Sequence, residues 1–232
     1  MIEGLKRAYR QALSVDNETP HVLEFVRRAS AGAARPVIVD IGCGYGRTLK
    51  ALKASGLSAI GVDVNPDIVA RNVANGLECY LPVDFRASAL TADVLLMSHI
   101  VEHFSPDRLL AFIDEYLIYL RPGGYLVIAT PLAGDRFFDD FDHVRPYQPL
   151  GFTMVYGPGD AQVQYRGKHQ LELIDLWFRR SPFGVAFARG LYIRSLTSRW
   201  LQLANLAGVA AFWASAGLIG RTTGWVGMFC KR

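Results

Sequence analysis

Three groups of side chains in this sequence could do chemistry together: histidines beside carboxylates, alternate glycines behind an acid, and a second acid closing an apolar run. Only five histidines occur in 232 residues, at positions 21, 99, 103, 143 and 169. His99 and His103 flank Glu102 in SHIVEHF, and His143 stands in FDDFDHVRPYQP among carboxylates, Arg145 and Tyr147. Histidine titrates near neutral pH, so it suits the removal of a proton from a hydroxyl nucleophile. A histidine that braces the following helix would read the same way. Two histidines four apart with a carboxylate also suggest a metal, but no third ligand is identifiable and none is expected to bind.

The glycines lie in VDIGCGYGRTL, where Gly42, Gly44 and Gly46 alternate behind Asp40. A strand turning tightly into a helix presents backbone N–H groups to a ligand, and glycine is needed where a side chain would strike it. The spacing is not G-x-G-x-x-G, and no Lys-Ser/Thr follows, which argues against a dinucleotide or nucleoside triphosphate site. The next apolar run ends in GVDVNP, where Asp63 with Val64 beside it falls at the end of a strand. An acid in that place can accept both hydroxyls of a ribose.

These residues need a frame. From Val37 onward, short apolar runs (VIVDIG, SAIGVDV, LECYL, ADVLLMS, YLVIAT) alternate with helical segments. Runs of this kind describe parallel strands buried on both faces, so the expected fold class is α/β with a doubly wound, Rossmann-like sheet. Residues 3–30 read as one or two helices around a turn at 16–20. Residues 131–167 read as an irregular cover for the site, with at most a short strand near Phe152–Tyr156. HQLELIDLWF and WVGMFCK close the sheet, with a helical insertion between them before the last strand.

With these segments in place, the chain resembles the class I S-adenosylmethionine-dependent methyltransferases. Val39–Gly46 is similar to their glycine-rich first motif, and Gly61–Pro66 to their acidic second-strand end. ADVLLMSHIVEHF and LRPGGYLVIATP are similar to the fourth-strand and fifth-strand regions of the small-molecule enzymes. The resemblance implies that Asp40 and the loop of Gly42, Cys43, Gly44 and Gly46 hold the amino-acid part of S-adenosyl-L-methionine. Asp63 and Val64 would meet its ribose side. Asp84 and Phe85 become candidates for an adenine amino-group acceptor and ring face, and Ser98 and His99 for the pocket mouth. A Glu-His like Glu102-His103 follows the fourth strand in related enzymes, making His103 the first candidate base, with His99 and His143 as the others. Cys43 reads as a small packed residue rather than a reactive thiol.

Composition bounds the setting. About half the residues are hydrophobic (51%), enough for one sizeable core, and the three cysteines lack disulfide or zinc spacing. The expectation is a single domain over 1–232: helices in 1–35, a cofactor-binding core in 36–132, a substrate-side segment in 133–180, an insertion in 181–223 and the last strand in 224–232. No secretory signal is evident, so a cytoplasmic protein is expected. The net charge of +4 is uneven: no acidic residue follows Asp175, while eight basic ones do. Taken as a helix, Arg189–Ala207 puts Ile193, Leu196, Trp200, Leu203 and Ala207 on one side and Arg194, Arg199, Gln202 and Asn205 on the other. Residues 183–220 therefore read as a peripheral contact with the inner face of a membrane, or else as packing on the domain or on a second subunit in a homodimer. The expected acceptor is a hydroxyl of a small molecule or saccharide, which a lipid could carry. Adenine and glutamine methylation are disfavoured by the lack of an Asn/Asp-Pro-Pro-Tyr sequence. A nucleic-acid acceptor is the competing reading of the basic tail, and a non-catalytic cofactor-binding protein is the other.

Overall fold

A computed structural model describes residues 18–159, 162–185, 187–193 and 198–232. The chain opens with helix α1 (Thr19–Ser30), then β1 (Ile38–Ile41), α2 (Arg47–Ala54), β2 (Ile60–Val62), α3 (Pro66–Ala74), β3 (Cys79–Tyr80), α4 (Pro82–Ala87) and β4 (Ala92–Ser98). It continues with α5 (Pro106–Leu117), β5 (Leu120–Pro131), α6 (Pro149–Tyr156), β6 (Leu171–Ser181), α7 (Arg189–Tyr192), α8 (Ser198–Ala214) and β7 (Arg221–Lys231). The seven strands form one sheet in the order β3-β2-β1-β4-β5-β7-β6. The strands from β3 to β5 are parallel, and β7 runs antiparallel to both β5 and β6. The order reverses between β1 and β4, the place where an open α/β sheet leaves a crevice at its carboxyl edge.

Alternation along the strands explains the unbroken apolar runs. Leu95 and Met97 of β4, Leu126 and Ile128 of β5, and Trp225 and Phe229 of β7 pack on one face with Ile113 and Leu117 of α5 and Phe152 of α6. Their neighbours Val94, Leu96, Val127, Ala129, Val226 and Met228 pack on the other face against Val22, Phe25 and Val26 of α1. With helices on both sides, the central strands read as near-continuous apolar runs. Local signals start the helices. Asn65 caps α3 by accepting the Asp67 N–H at 3.0 Å, and Pro66 and Pro106 occupy the first turns of α3 and α5.

Three details depart from the sequence reading. Phe152–Tyr156 belongs to α6 rather than a strand, because Pro149 suits a helical first turn. The run LECYL contributes only the two residues of β3. The insertion is not one helix over Arg189–Ala207: α7 ends where Ile193 turns extended, and α8 runs on to Ala214. The helix expected before residue 18 and the positions of Arg194 and Leu196 lie outside the described residues.

Candidate active site at the carboxyl edge of the sheet

The glycine turn leaves β1 with Gly42, Gly44 and Gly46 at φ of 71°, 50° and 71°, values that suit only glycine without strain. A Cβ on Gly42 would stand 2.4 Å from Ile100 Cδ1, whereas one on Gly44 would point into open space. The loop amides are largely engaged inside the protein. Gly42 and Cys43 donate to the Val62 carbonyl at 2.8 and 3.1 Å, Gly46 donates to Cys43, and Gly44 donates to Asp63 Oδ2 at 2.9 Å. The loop therefore offers a ligand room more than donors. Asp63 also accepts the Asn65 N–H through Oδ1 at 2.9 Å, which fixes the carboxylate while leaving lone pairs for a ligand. Val64 beside it is exposed.

Sequence reasoning missed Asn72 of α3, which is fully buried and donates to the Gly44 carbonyl at 2.8 Å. A polar residue on the inner face of a helix was the available signal. Cys43 is buried with its sulfur 3.5 Å from that of Cys79, and burial raises its thiol pKa, so it is the packed thiol expected. Asp40 is buried, and its Oδ2 has no hydrogen-bond partner. Burial first, and the charge of Asp63 second, push its pKa up to about 7. An unpartnered carboxylate at the mouth of a glycine loop is what a cationic ligand group would satisfy and a phosphate would not.

On the adenine side, Asp84 lies exposed in the first turn of α4. Phe85 does not fit its expected role. It is wholly buried, with its ring 5.1 Å from Tyr119 and 6.2 Å from Tyr116, and offers no free face. Ser98 ends β4 at the crevice.

The histidines differ sharply in surroundings. His99 has φ of 56°, an uncommon strained value for a residue with a side chain. Its Nε2 donates to Glu18 Oε1 at 2.6 Å, and its Nδ1 lies 3.2 Å from Glu102 Oε1. Burial opposes its charge, but the bonds to Glu102 and Glu18 outweigh it and raise its pKa to about 9. Glu18 also pairs with Arg179 of β6 at 3.0 Å, and against its burial these cations hold its pKa below the usual range. His99 is thus a fixed cation between carboxylates, not a vacant base.

His143 Nδ1 donates to the Phe137 carbonyl at 2.6 Å, which leaves Nε2 as the lone-pair nitrogen of the neutral ring. That Nε2 lies 3.9 Å from Glu102 Oε1 and 3.7 Å from Asp140 Oδ2. His103 sits edge-on to His143 at 5.0 Å, with Nδ1 held by the Asp142 carbonyl at 3.1 Å. Glu102 is fully buried and accepts from Thr130 Oγ1 at 3.0 Å. A cavity of ≈ 370 Å³ beside this cluster is lined by His99, His143, Phe137, Arg179, Gly184 and Thr223 among others, but not by His103. The fold also supplies the third metal-type ligand that spacing alone did not reveal: Glu102, His103 and His143 can bring one ligand atom each within 4.8 Å of one another.

A glycine loop with an unpartnered acid after β1, a ribose-type acid just past β2, and a cavity beyond the ends of β4 and β5 all lie at the carboxyl edge of the parallel strands. The sequence pattern of a family described as "Methyltransferase domain" matches residues 11–205. The chain belongs to this methyltransferase-domain family. Among curated relatives, the ubiquinone biosynthesis O-methyltransferase of Xylella fastidiosa (strain M23) is 30% identical over 121 residues, covering 48% of this chain and 48% of that protein. Its counterpart from Chelativorans sp. (strain BNC1) is 31% identical over 110 residues, 42% of this chain and 43% of that protein. The chain thus spans about half the length of the curated relatives it matches. Among solved structures, a SAM-dependent methyltransferase from Archaeoglobus fulgidus covers 93% of this chain and 95% of its own, with 21% identity and a TM-score of 0.54. The methyltransferase domain takes S-adenosylmethionine as its cofactor, and the orphaned Asp40 oxygen and the open side of Gly44 fit that group.

Proposed function

We propose that this methyltransferase transfers a methyl group to a hydroxyl of a small molecule or saccharide held in the cavity beside His143. When bound, S-adenosylmethionine supplies an electrophilic methyl group on a positively charged sulfur. Asp40 meets its α-ammonium and Asp63 its ribose, while Asp84 and Val64 flank the adenosine side. The protein's remaining tasks are to align the hydroxyl and remove its proton.

The observation that carries this reading is the state of His143 at the cavity wall. Its Nδ1–H is anchored on a carbonyl, so in the neutral ring Nε2 carries the lone pair, the arrangement of a general base. Glu102 and Asp140, just beyond hydrogen-bonding distance, stabilise the imidazolium that proton uptake creates. His103, first in the sequence reading, buttresses His143 from outside the cavity. The relatives named ubiquinone biosynthesis O-methyltransferases support a hydroxyl acceptor.

The test incubates the protein with methyl-labelled S-adenosylmethionine and phenolic or saccharide acceptors. His143→Ala should keep cofactor affinity and lose turnover roughly 10²-fold or more. Turnover within a factor of three of wild type would remove His143 as the base. The Glu102–His103–His143 cluster favours a second reading, in which a divalent metal binds the hydroxyl and lowers its pKa. Loss of turnover on chelation, restored by added metal, would select it.

A further inference from the structure

Helix α8 is turned in an unexpected direction. Its inward stripe is Leu201, Asn205, Val209 and Phe212. Asn205, from the side expected to face water, is buried instead, its Oδ1 accepting the Val185 N–H at 2.8 Å and its Nδ2 donating back to the Val185 carbonyl at 3.4 Å. The side expected to pack on the domain consequently faces out. Trp200 is 75% exposed, Leu203 55% and Trp213 63%, with Ala207 and Ala210 between them and Leu218, 75% exposed, beyond the helix end. A solvent-facing side this apolar marks an interaction surface rather than a water-facing one.

Charge decides among its occupants. Exposed Arg199 lies on α8 and exposed Arg189 on the preceding α7, and no acidic residue occurs anywhere after Asp175. A second copy docked on the same face would bring like charges together. An anionic bilayer surface would attract the arginines and receive the apolar stripe, with tryptophans at the two flanks of the helix suited to the headgroup boundary. Among the described residues no helix is long and apolar enough to cross a membrane, and α8 has 17 residues, so the contact lies along the surface. Helix α8 also adjoins the acceptor cavity on its inner side, because Gly184, a cavity-lining residue, lies against the inward-pointing Asn205 side chain.

We infer that α8 seats the enzyme on an anionic lipid surface with the acceptor cavity beside it, so that the acceptor is an amphiphile drawn from that surface. The lipid contact stands on α8 alone, whereas the amphiphilic acceptor rests on the methyl-transfer reading.

The experiment sediments the whole chain with vesicles of equal parts phosphatidylglycerol and phosphatidylcholine, and separately of phosphatidylcholine alone. Calorimetric S-adenosylmethionine binding is measured on the same preparations, to verify folding and to test the methyltransferase reading independently. Wild type should sediment with the anionic vesicles at least tenfold more strongly than with the zwitterionic ones. Trp200→Ala/Trp213→Ala and Arg189→Glu/Arg199→Glu, two separate double variants, should each lose most of that binding while keeping cofactor affinity. Protein left in the supernatant with both vesicles, or equal binding to both, overturns the inference. A concentration-dependent dimer dissolved by the tryptophan double variant overturns it in favour of a second copy. Vesicle binding without cofactor binding would retain the lipid surface and refute the methyl-transfer reading instead.

Discussion

Lowering the pH should weaken cofactor binding through Asp40. In the free protein this carboxyl is buried, lacks a hydrogen-bond partner and titrates near 7, first because burial disfavours its charge and second because Asp63 is close. On the proposed pairing with the cationic α-ammonium of S-adenosylmethionine, only the ionised form binds, so below pH 7 binding would have to expel a proton. Apparent affinity scales with the ionised fraction, which falls from about one half at pH 7 to roughly 3% at pH 5.5. The expected loss is therefore about fifteenfold, or ~1.6 kcal/mol. Titration calorimetry in two buffers of different ionisation enthalpy would read both the affinity and the protons released, which should approach one per cofactor at pH 5.5. An α-amino group titrating at about 7.7–8.0 adds a separate decline at high pH. Asp40→Asn should bind more weakly at pH 7.5 and lose the acid decline while keeping the alkaline one. Affinity constant between pH 7 and 5.5, or an acid decline that survives in Asp40→Asn, would refute the assignment of Asp40 to the ammonium.

Two further outcomes follow from the same geometry. Asp63→Ala removes the acceptor of the Gly44 and Asn65 amides as well as the ribose partner, and should cost ~1–3 kcal/mol of cofactor binding by calorimetry. Unchanged affinity would sink the ribose assignment. His99→Ala strips the shared cation from buried Glu18 and Glu102 and should destabilise the fold by about 3 kcal/mol, a melting temperature lower by about 6–12 °C. A shift under 2 °C would mean the network does not hold the crevice together.

The parts legible in the sequence were those whose meaning is local. Asp40, the three glycines and Asp63 occupy fixed places relative to strand ends, and strand ends can be read from apolar runs. Cys43 was legible for the same reason. Phe85 was misread because an aromatic residue after a strand looks the same whether it covers a ligand or fills a core, and only packing against Tyr119 distinguishes them. The choice among the histidines was not local either. Their roles depend on partners such as the Phe137 carbonyl for His143 and Glu18 for His99, the latter 81 positions away. Helix α8 showed its two-sided pattern in sequence, but a pattern does not say which side turns inward. The paired bonds of Asn205 to Val185 turn that one polar residue inward with Val209 and Phe212, while Arg199 and Gln202 of the same side stay exposed.

Glu18 is a single side chain that holds His99 after β4 and Arg179 at the end of β6, partners 81 and 161 residues away in the chain. It makes Glu18, ahead of the first strand, a structural part of the cavity wall, because both of its partners line that cavity. A minimal unit trimmed to start at residue 36, where the recognisable motifs begin, would lose this clasp and also α1, whose Val22, Phe25 and Val26 cover one face of the sheet, so the motifs alone do not delimit a folded unit. Glu18 itself is the separable part: with α1 kept and this one carboxylate removed, donor binding and turnover at the cavity would part company at a single side chain.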